Sequence, residues 1–215
     1  MHVPRQKLLI FPFNGNGLEA LDCIDPALFE FVGFVDDSEE KRAQQHPWPV
    51  MDRSAFDRFP DARVLAVPGS PTSYPKRGEY IDALPIDKAR LVSVVHPTAR
   101  IGHSVRLGTN CMIMAGVVLT SNATVGDHVC ILPNTVVHHD SIIGDYTLIG
   151  CNVAVAGGTS IGRNCYIGSG TNIINGISVG AYTLVGMGSN VTRSVPEGAR
   201  IAGNPARQII PKKTD

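Results

Sequence analysis

Val137-His138-His139-Asp140-Ser141-Ile142-Ile143-Gly144-Asp145-Tyr146-Thr147-Leu148-Ile149-Gly150 places an aliphatic residue at every sixth position, 137, 143 and 149. Working outward in both directions, the register holds from Val95 to Val191, and all 17 positions are Val, Ile or Leu. The residue after the aliphatic is Gly at 102, 108, 126, 144, 150, 162, 168, 180 and 186. Four residues after it comes, with few exceptions, a small or β-branched side chain such as Cys111, Ala123, Ser141 or Val153. A helix needs a period of 3.6 and a half-buried strand a period of two. Period six with glycine at a fixed phase instead means a short strand, a turn, and the next strand around a prism. Three hexads close one coil of 18 residues, so side chains 18 apart stack at the inter-strand spacing of about 4.8 Å, in a rod about 25–30 Å long. Cys111 and Cys165, three coils apart at the small inward position, suit packing rather than chemistry.

The pattern [LIV]-G-x-x-[small]-x resembles the hexapeptide-repeat acyltransferases, whose fold is a left-handed parallel β-helix. The handedness comes from the resemblance, since the usual crossover rule is right-handed. The expected fold class is a small α/β N-terminal domain with a Rossmann-like parallel sheet, followed by an all-β left-handed β-helix. The domains are expected at 1–94 and 95–196, with a tail at 197–215.

Residues 1–94 follow another grammar. Lys7–Phe13, Phe29–Val35 and Arg63–Val67 read as strands, alternating with expected helices at Leu18–Cys23 and Glu79–Leu84. A further strand, Arg90–Val95, would lead into the first coil. Residues 38–49 read as a polar, mobile segment and 71–77 as loop. Gly15-x-Gly17-x-x-Ala20 follows a strand, opens a helix and has Asp36 downstream, which matches a dinucleotide fingerprint. Ninety residues supply only one mononucleotide-binding half, which argues against a full dinucleotide site.

Net charge is zero, with 19 basic and 19 acidic residues, which gives no electrostatic footprint for nucleic acid or a membrane surface. No apolar run nears 18 residues and no signal peptide is visible, so a cytoplasmic location is expected. Five cysteines without a CxxC fit free thiols.

Seven histidines are present, at 2, 46, 96, 103, 128, 138 and 139. His2 and His46 fall in segments expected to be mobile, and His96 at the β-helix entrance suits a structural role. His139 alone is followed by a carboxylate, Asp140, which orients the ring and favours the imidazolium formed when it takes a proton. One coil on, in the same column, stands Gly157. A glycine there lets a ligand approach the backbone, and its N–H can face a developing oxyanion. His139, Asp140 and Gly157 are the expected catalytic group.

A small α/β domain with a Gly-rich first loop and Asp-Asp after the second strand, joined to a β-helix, is similar to one branch of that family. This branch comprises the sialic-acid O-acetyltransferases and the bacillosamine-type UDP-amino-sugar N-acetyltransferases. The resemblance implies acetyl-CoA as co-substrate and a nucleotide sugar in the N-terminal domain, held by Asn14, Gly15 and Asn16, with Asp36, Asp37 and Gly69 near it. The family loop reads Ser-Gly-His-Gly where this chain has Asn14-Gly15-Asn16-Gly17. It also implies CoA contacts around Leu148, Ser169 and Met187. Arg207, in a closing Gly203-Asn204-Pro205-Ala206-Arg207 segment, would lie near the adenine end, with Lys212 and Lys213 as further phosphate partners. The assembly implied is a homotrimer, with sites between prisms and no metal. The expected activity is N-acetylation of a nucleotide-linked 4-amino-4,6-dideoxy sugar. The alternatives are a sialic-acid-type O-acetyltransferase and a non-catalytic nucleotide-sugar-binding solenoid. A γ-class carbonic anhydrase needs a further zinc histidine about five residues after His139, where Ile143 and Gly144 stand.

Overall fold

The computed structural model describes residues 4–209. In the N-terminal part, β1 (Gln6–Phe11), β2 (Phe29–Val35), β3 (Val50–Met51) and β4 (Arg63–Ala66) form one parallel sheet in the order β3-β2-β1-β4. Alternation along β1 sends Leu8 and Ile10 to one face and Leu9 and Phe11 to the other, each into a separate apolar cluster. Among the described residues four short helices accompany the strands: α1 (Gly15–Glu19), α2 (Glu39–Ala43), α3 (Ala55–Arg58) and α4 (Arg77–Asp82).

Several local expectations change. The first helix starts at Gly15 rather than Leu18, because the Asn14 side chain accepts a 2.8 Å bond from Gly17 N–H and caps it. Gly17 has no room for a Cβ, which would run into the Pro12 carbonyl oxygen. Residues 38–49 are tied down: Ser38 caps α2, and Lys41 Nζ donates to Asp36 at 3.0 Å and to the Phe13 carbonyl at 2.7 Å. His46 belongs to the same clasp, with its ring 4.5 Å from Phe13 and Nε2 at 2.8 Å from the Lys41 carbonyl. Residues 71–77 include a 3-10 turn, Tyr74–Lys76, leading into α4. The strand expected at Arg90–Val95 is interrupted, since Lys88–Arg90 is a 3-10 turn whose Arg90 guanidinium donates to the Phe56, Phe59 and Ala62 carbonyls. Only Val94–Val95 joins the β-helix as strand.

From there the chain winds a left-handed parallel β-helix. Two-residue strands pair strictly 18 residues apart, as in Ile131↔Ile149 and Ile149↔Ile167. Face one carries Met112–Ile113, Cys130–Ile131, Leu148–Ile149, Tyr166–Ile167 and Leu184–Val185. Face two carries Val118–Leu119, Val136–Val137 and Ala154–Val155, and face three Thr124–Val125, Ile142–Ile143 and Ser160–Ile161. From Ile113 to Val191 the second residue of each two-residue strand is buried, and these hexad aliphatics form one continuous core, whereas Val95 and Ile101 at the start of the rod are exposed. Corners turn through left-handed backbone, occupied by Asn110, Asn122, His128, Asp140, Tyr146 and Asn164 among others. The ladder continues past residue 196, because Arg200–Ala202 pairs with Leu184–Val185 and turns back through Arg207–Gln208. Lys212 and Lys213 lie outside the described residues.

Face one turns its outer row, Met112, Cys130, Leu148 and Leu184, against Leu8, Ile10, Phe34, Leu65 and Val67 of the α/β sheet in a shared core. The edge between faces three and one adds a polar seam, in which residues 110, 128, 146, 164 and 182 stack one coil apart. Asn110 donates to and accepts from the Ala66 backbone at 2.8 and 2.7 Å. Tyr146 reaches Asp82, Asn164 reaches the Tyr74 and Pro75 carbonyls, and the Tyr182 carbonyl accepts from Tyr74. Arg77, fully buried, donates to the carbonyls of Pro68 and His128 and lies 3.1 Å from the Cys130 thiol.

Candidate active site

A cavity of about 360 Å3 opens where the two parts meet. Asn14, Gly15 and Asn16 enter it from the end of β1, and Gly69, Ser70 and Pro71 from the end of β4. Face one supplies Leu132, Leu148, Ile149, Gly150 and Tyr166. β1 and β4 are neighbours whose following connections leave in opposite directions, and such switch points at the carboxyl ends of parallel strands are where open α/β sheets take ligands. The walls are apolar side chains and backbone, with few polar groups to set orientation. Asn16 Nδ2 lies 3.4 Å from the Val67 carbonyl, across the gap between the two loops.

Of the residues expected from sequence, the cavity gathers Asn14, Gly15, Asn16, Gly69 and Leu148. Asp36 is not in its lining. Its carboxylate is 5% exposed and accepts from Phe13 N–H, Ser38 N–H and Lys41. Asp37 holds Arg53 through both oxygens, at 2.8 and 2.9 Å, and this pairing pulls its pKa below the usual carboxylate range. Ser169 and Met187 stack above Cys151 on the edge between faces one and two. Ser169 Oγ accepts from Cys151 N–H at 3.1 Å, next to the Gly150 wall, and Met187 is 77% exposed. Arg207 lies exposed in the closing hairpin.

The cavity also uses residues the sequence reading did not name. Leu132 lies one coil below Gly150, and Tyr166 one coil above Leu148. Applying the 18-residue step to Leu148 was enough to find Tyr166.

His139, Asp140 and Gly157 come together on another edge, the one between faces two and three. His139 Nδ1 is 2.8 Å from Asp140 Oδ2, and the other Asp140 oxygen accepts from Asn122 Nδ2 at 3.0 Å. The His139 hydrogen bond, and then that of Asn122, hold the Asp140 carboxyl below its ordinary pKa. The His139 ring lies over Gly157, where an added Cβ would sit 2.6 Å from Nε2. The Gly157 N–H has no hydrogen-bond partner among the described residues. With Nδ1 bonded to Asp140, Nε2 is the ring nitrogen left over, close to a Gly157 N–H with no partner among the described residues. Each side chain is more than half exposed, His139 at 64% and Asp140 at 56%.

In a triangular prism the edge between faces two and three is opposite face one. One chain therefore holds its cavity and its His139 edge on opposite sides. His103 and His138 are exposed near that same edge and have no carboxylate partner among the described residues.

His128 does a different job. It stacks on Tyr146 with ring centroids 4.6 Å apart, and its Nδ1 accepts from Asn110 Nδ2 at 3.0 Å. Burial lowers its pKa from 6.5; nearby Arg77 acts the same way, while Asp127, Asp82 and Asp145 oppose. The folded protein keeps the ring neutral while the unfolded chain protonates near 6.5, so the unfolded state binds more protons as pH falls through that value. Stability is therefore full above pH 6.5 and declines below it until the folded ring also protonates. His128→Asn, which suits the left-handed corner, is expected to flatten the fall in thermal midpoint between about pH 7.5 and 5.5. An unchanged slope would assign the decline to other groups.

Among the described residues no helix is long and apolar enough to cross a membrane, and no group of three or more His, Cys, Asp or Glu could hold a metal ion. The profile described as Bacterial transferase hexapeptide (six repeats) matches residues 122–157. A second, Hexapeptide repeat of succinyl-transferase, matches 99–121 and 158–193. Together the two matches run along the β-helix from 99 to 193, which is built of hexapeptide repeats. No curated protein sequence matches the chain. Among solved structures it is similar to PerB from Caulobacter crescentus in complex with CoA and GDP-perosamine, at 26% identity over 97% of this chain and 99% of that one, TM-score 0.81. The acetyltransferase domain of PglB from Neisseria gonorrhoeae, in complex with acetyl coenzyme A, is 23% identical over 96% and 100%, TM-score 0.82. WeeI from Acinetobacter baumannii is 24% identical over 96% and 100%, TM-score 0.79.

Proposed function

We propose that this chain of hexapeptide-transferase repeats is an acyltransferase that moves an acetyl group from acetyl-CoA to the amine of a nucleotide-linked 4-amino-4,6-dideoxy sugar. One observation carries the reading. The cavity lies between a glycine loop and a β-helix face, in a two-part layout matched along its whole length by PerB, whose structure holds CoA and GDP-perosamine. The nucleotide sugar would sit against Asn14, Gly15, Asn16 and Gly69. Acetyl-CoA would follow the edge marked by Leu148, Ser169 and Met187 toward Arg207.

Because the His139 edge is opposite the cavity, the complete site takes the cavity of one copy and the His139 edge of another. A homotrimer of prisms provides that pairing. The sugar amine attacks the thioester carbonyl while His139 Nε2 takes its proton, and Asp140 stabilises the imidazolium. The Gly157 N–H donates to the tetrahedral oxyanion. As the intermediate collapses, the C–S bond breaks and His139 returns the proton to the leaving thiolate of CoA.

The test is thiol release from acetyl-CoA with a panel of UDP-, GDP- and dTDP-linked 4-amino-4,6-dideoxy sugars. Saturable release with one of them, and acetylated sugar in equal amount, supports the reading. Release only with hydroxyl acceptors would replace it with O-acetylation, and no release with any acceptor would leave a binding role.

A further inference from the structure

We propose that Asn122 is a positioning residue for the His139 base, the outermost member of an Asn122–Asp140–His139 relay built by stacking one coil on the next; as a catalytic role it rests on the acetyl-transfer reading above.

Asn122 and Asp140 occupy the same corner on successive coils, both in left-handed backbone with φ of 63° and 59°. The Asp140 N–H donates to the Ser121 carbonyl at 3.1 Å, so the parallel ladder itself sets the two side chains in line. Asn122 Nδ2 then donates to Asp140 Oδ1 at 3.0 Å, which leaves Oδ2 for His139 Nδ1 at 2.8 Å. A carboxylate gripped on one oxygen by a donor from the coil below loses its freedom to rotate, and its second oxygen stays on the imidazole. That fixes the ring in the tautomer with hydrogen on Nδ1 and the lone pair on Nε2, over Gly157. Burial cannot supply this order, since both His139 and Asp140 are largely exposed. The backbone register supplies it instead. Asparagine at a left-handed corner needs no functional reason, so the test must separate a corner residue from a relay.

Asn122→Gly keeps the left-handed backbone free of strain and deletes the amide. Asn122→Asp keeps size and corner preference but sets a carboxylate against Asp140, turning attraction into repulsion. Ser104→Gly makes the same backbone change one coil lower on the same edge, where φ is also 63°. Both Asn122 variants are expected to lower kcat by about 10- to 100-fold, by analogy with the loss when the outer hydrogen-bond partner of a metal-bound imidazole is removed, with KM for both substrates unchanged. Ser104→Gly is expected to behave as wild type. Nitrogen-15 spectra of His139, taken well above the ordinary imidazole titration range, should show one dominant tautomer in wild type and a mixture in the Asn122 variants. Full kcat in Asn122→Gly, or rescue by Asn122→Asp, would make Asn122 a corner residue only and overturn the relay. An unchanged tautomer ratio overturns it as well. The tautomer measurement needs no substrate, so the relay stands or falls separately from the acetyl-transfer reading.

Discussion

His139→Ala is expected to lower kcat for acetyl transfer by about 10²- to 10⁴-fold, the range removed with a general base. Binding of both substrates should persist, because within one copy the ring is 64% exposed on an edge and belongs to no apolar core cluster. The thermal midpoint should stay that of wild type for the same reason. Thiol release and calorimetric binding measure the two halves of this result. A second variant tests whether the site is shared between copies. Gly15 lines the cavity, and a Cβ there meets nothing within 4 Å, so Gly15→Trp is expected to place its ring in the cavity, with an unchanged thermal midpoint as the check that the fold holds. Each variant alone should be inactive. Assemblies mixed from the two should regain activity, since an intact cavity can then face an intact His139 edge. If mixing restores nothing while both variants assemble, the site is not shared between copies.

Gly157→Ala is expected to cost about 10²-fold in kcat with stability unchanged within about 0.5 kcal/mol, because a displacement of roughly 1 Å at a reacting group suffices for such a loss. The added methyl would sit 2.6 Å from His139 Nε2, closer than real Cβ atoms come to anything. The obstacle is an exposed side chain, so the ring yields and swings away from Asp140 rather than the coil deforming. Gly158 supplies the contrast. Its Cβ would meet nothing within 4 Å, but its φ is +66°, so alanine there strains the backbone. Gly158→Ala should lower stability by about 1–2 kcal/mol and disturb the His139 ring far less. Activity and thermal midpoint, measured on both variants, should therefore move in opposite ways. If Gly157→Ala keeps full activity, the ring does not work from its position over residue 157.

The β-helix was legible because its physics is periodic. An aliphatic column at every sixth residue leaves one solution, and the step of 18 predicts the pairing of Ile131 with Ile149 and the position of His139 over Gly157. The same arithmetic applied to Asp140 points back to Asn122, a step the reading of sequence did not take. The N-terminal part was legible only as an alternation of strands and helices. What segment 38–49 does depends on Asp36, Lys41, Phe13 and His46 meeting across the sheet, and no periodicity announces such a polar clasp. The acids at 36 and 37 matched a ligand motif in sequence, whereas in the structure both are engaged by the protein itself. The cavity was half visible. Its loops follow strand ends, but its far wall of Leu132, Gly150 and Tyr166 exists only once the β-helix face is laid against them.

The seam of residues 110, 128, 146, 164 and 182 also sets how the protein can change length. Each of these five coils meets its own piece of the α/β part: Ala66, Arg77, Asp82, the Tyr74 and Pro75 carbonyls, and the Tyr74 hydroxyl. The N-terminal part is thus a gauge laid along the rod, with five graduations about 4.8 Å apart. An extra coil inserted among them would put every later contact one graduation out of step. A coil added beyond Tyr182 would leave all five in place. The rod is free to grow only at its far end, and the span of the cavity wall is fixed by the part that does not repeat.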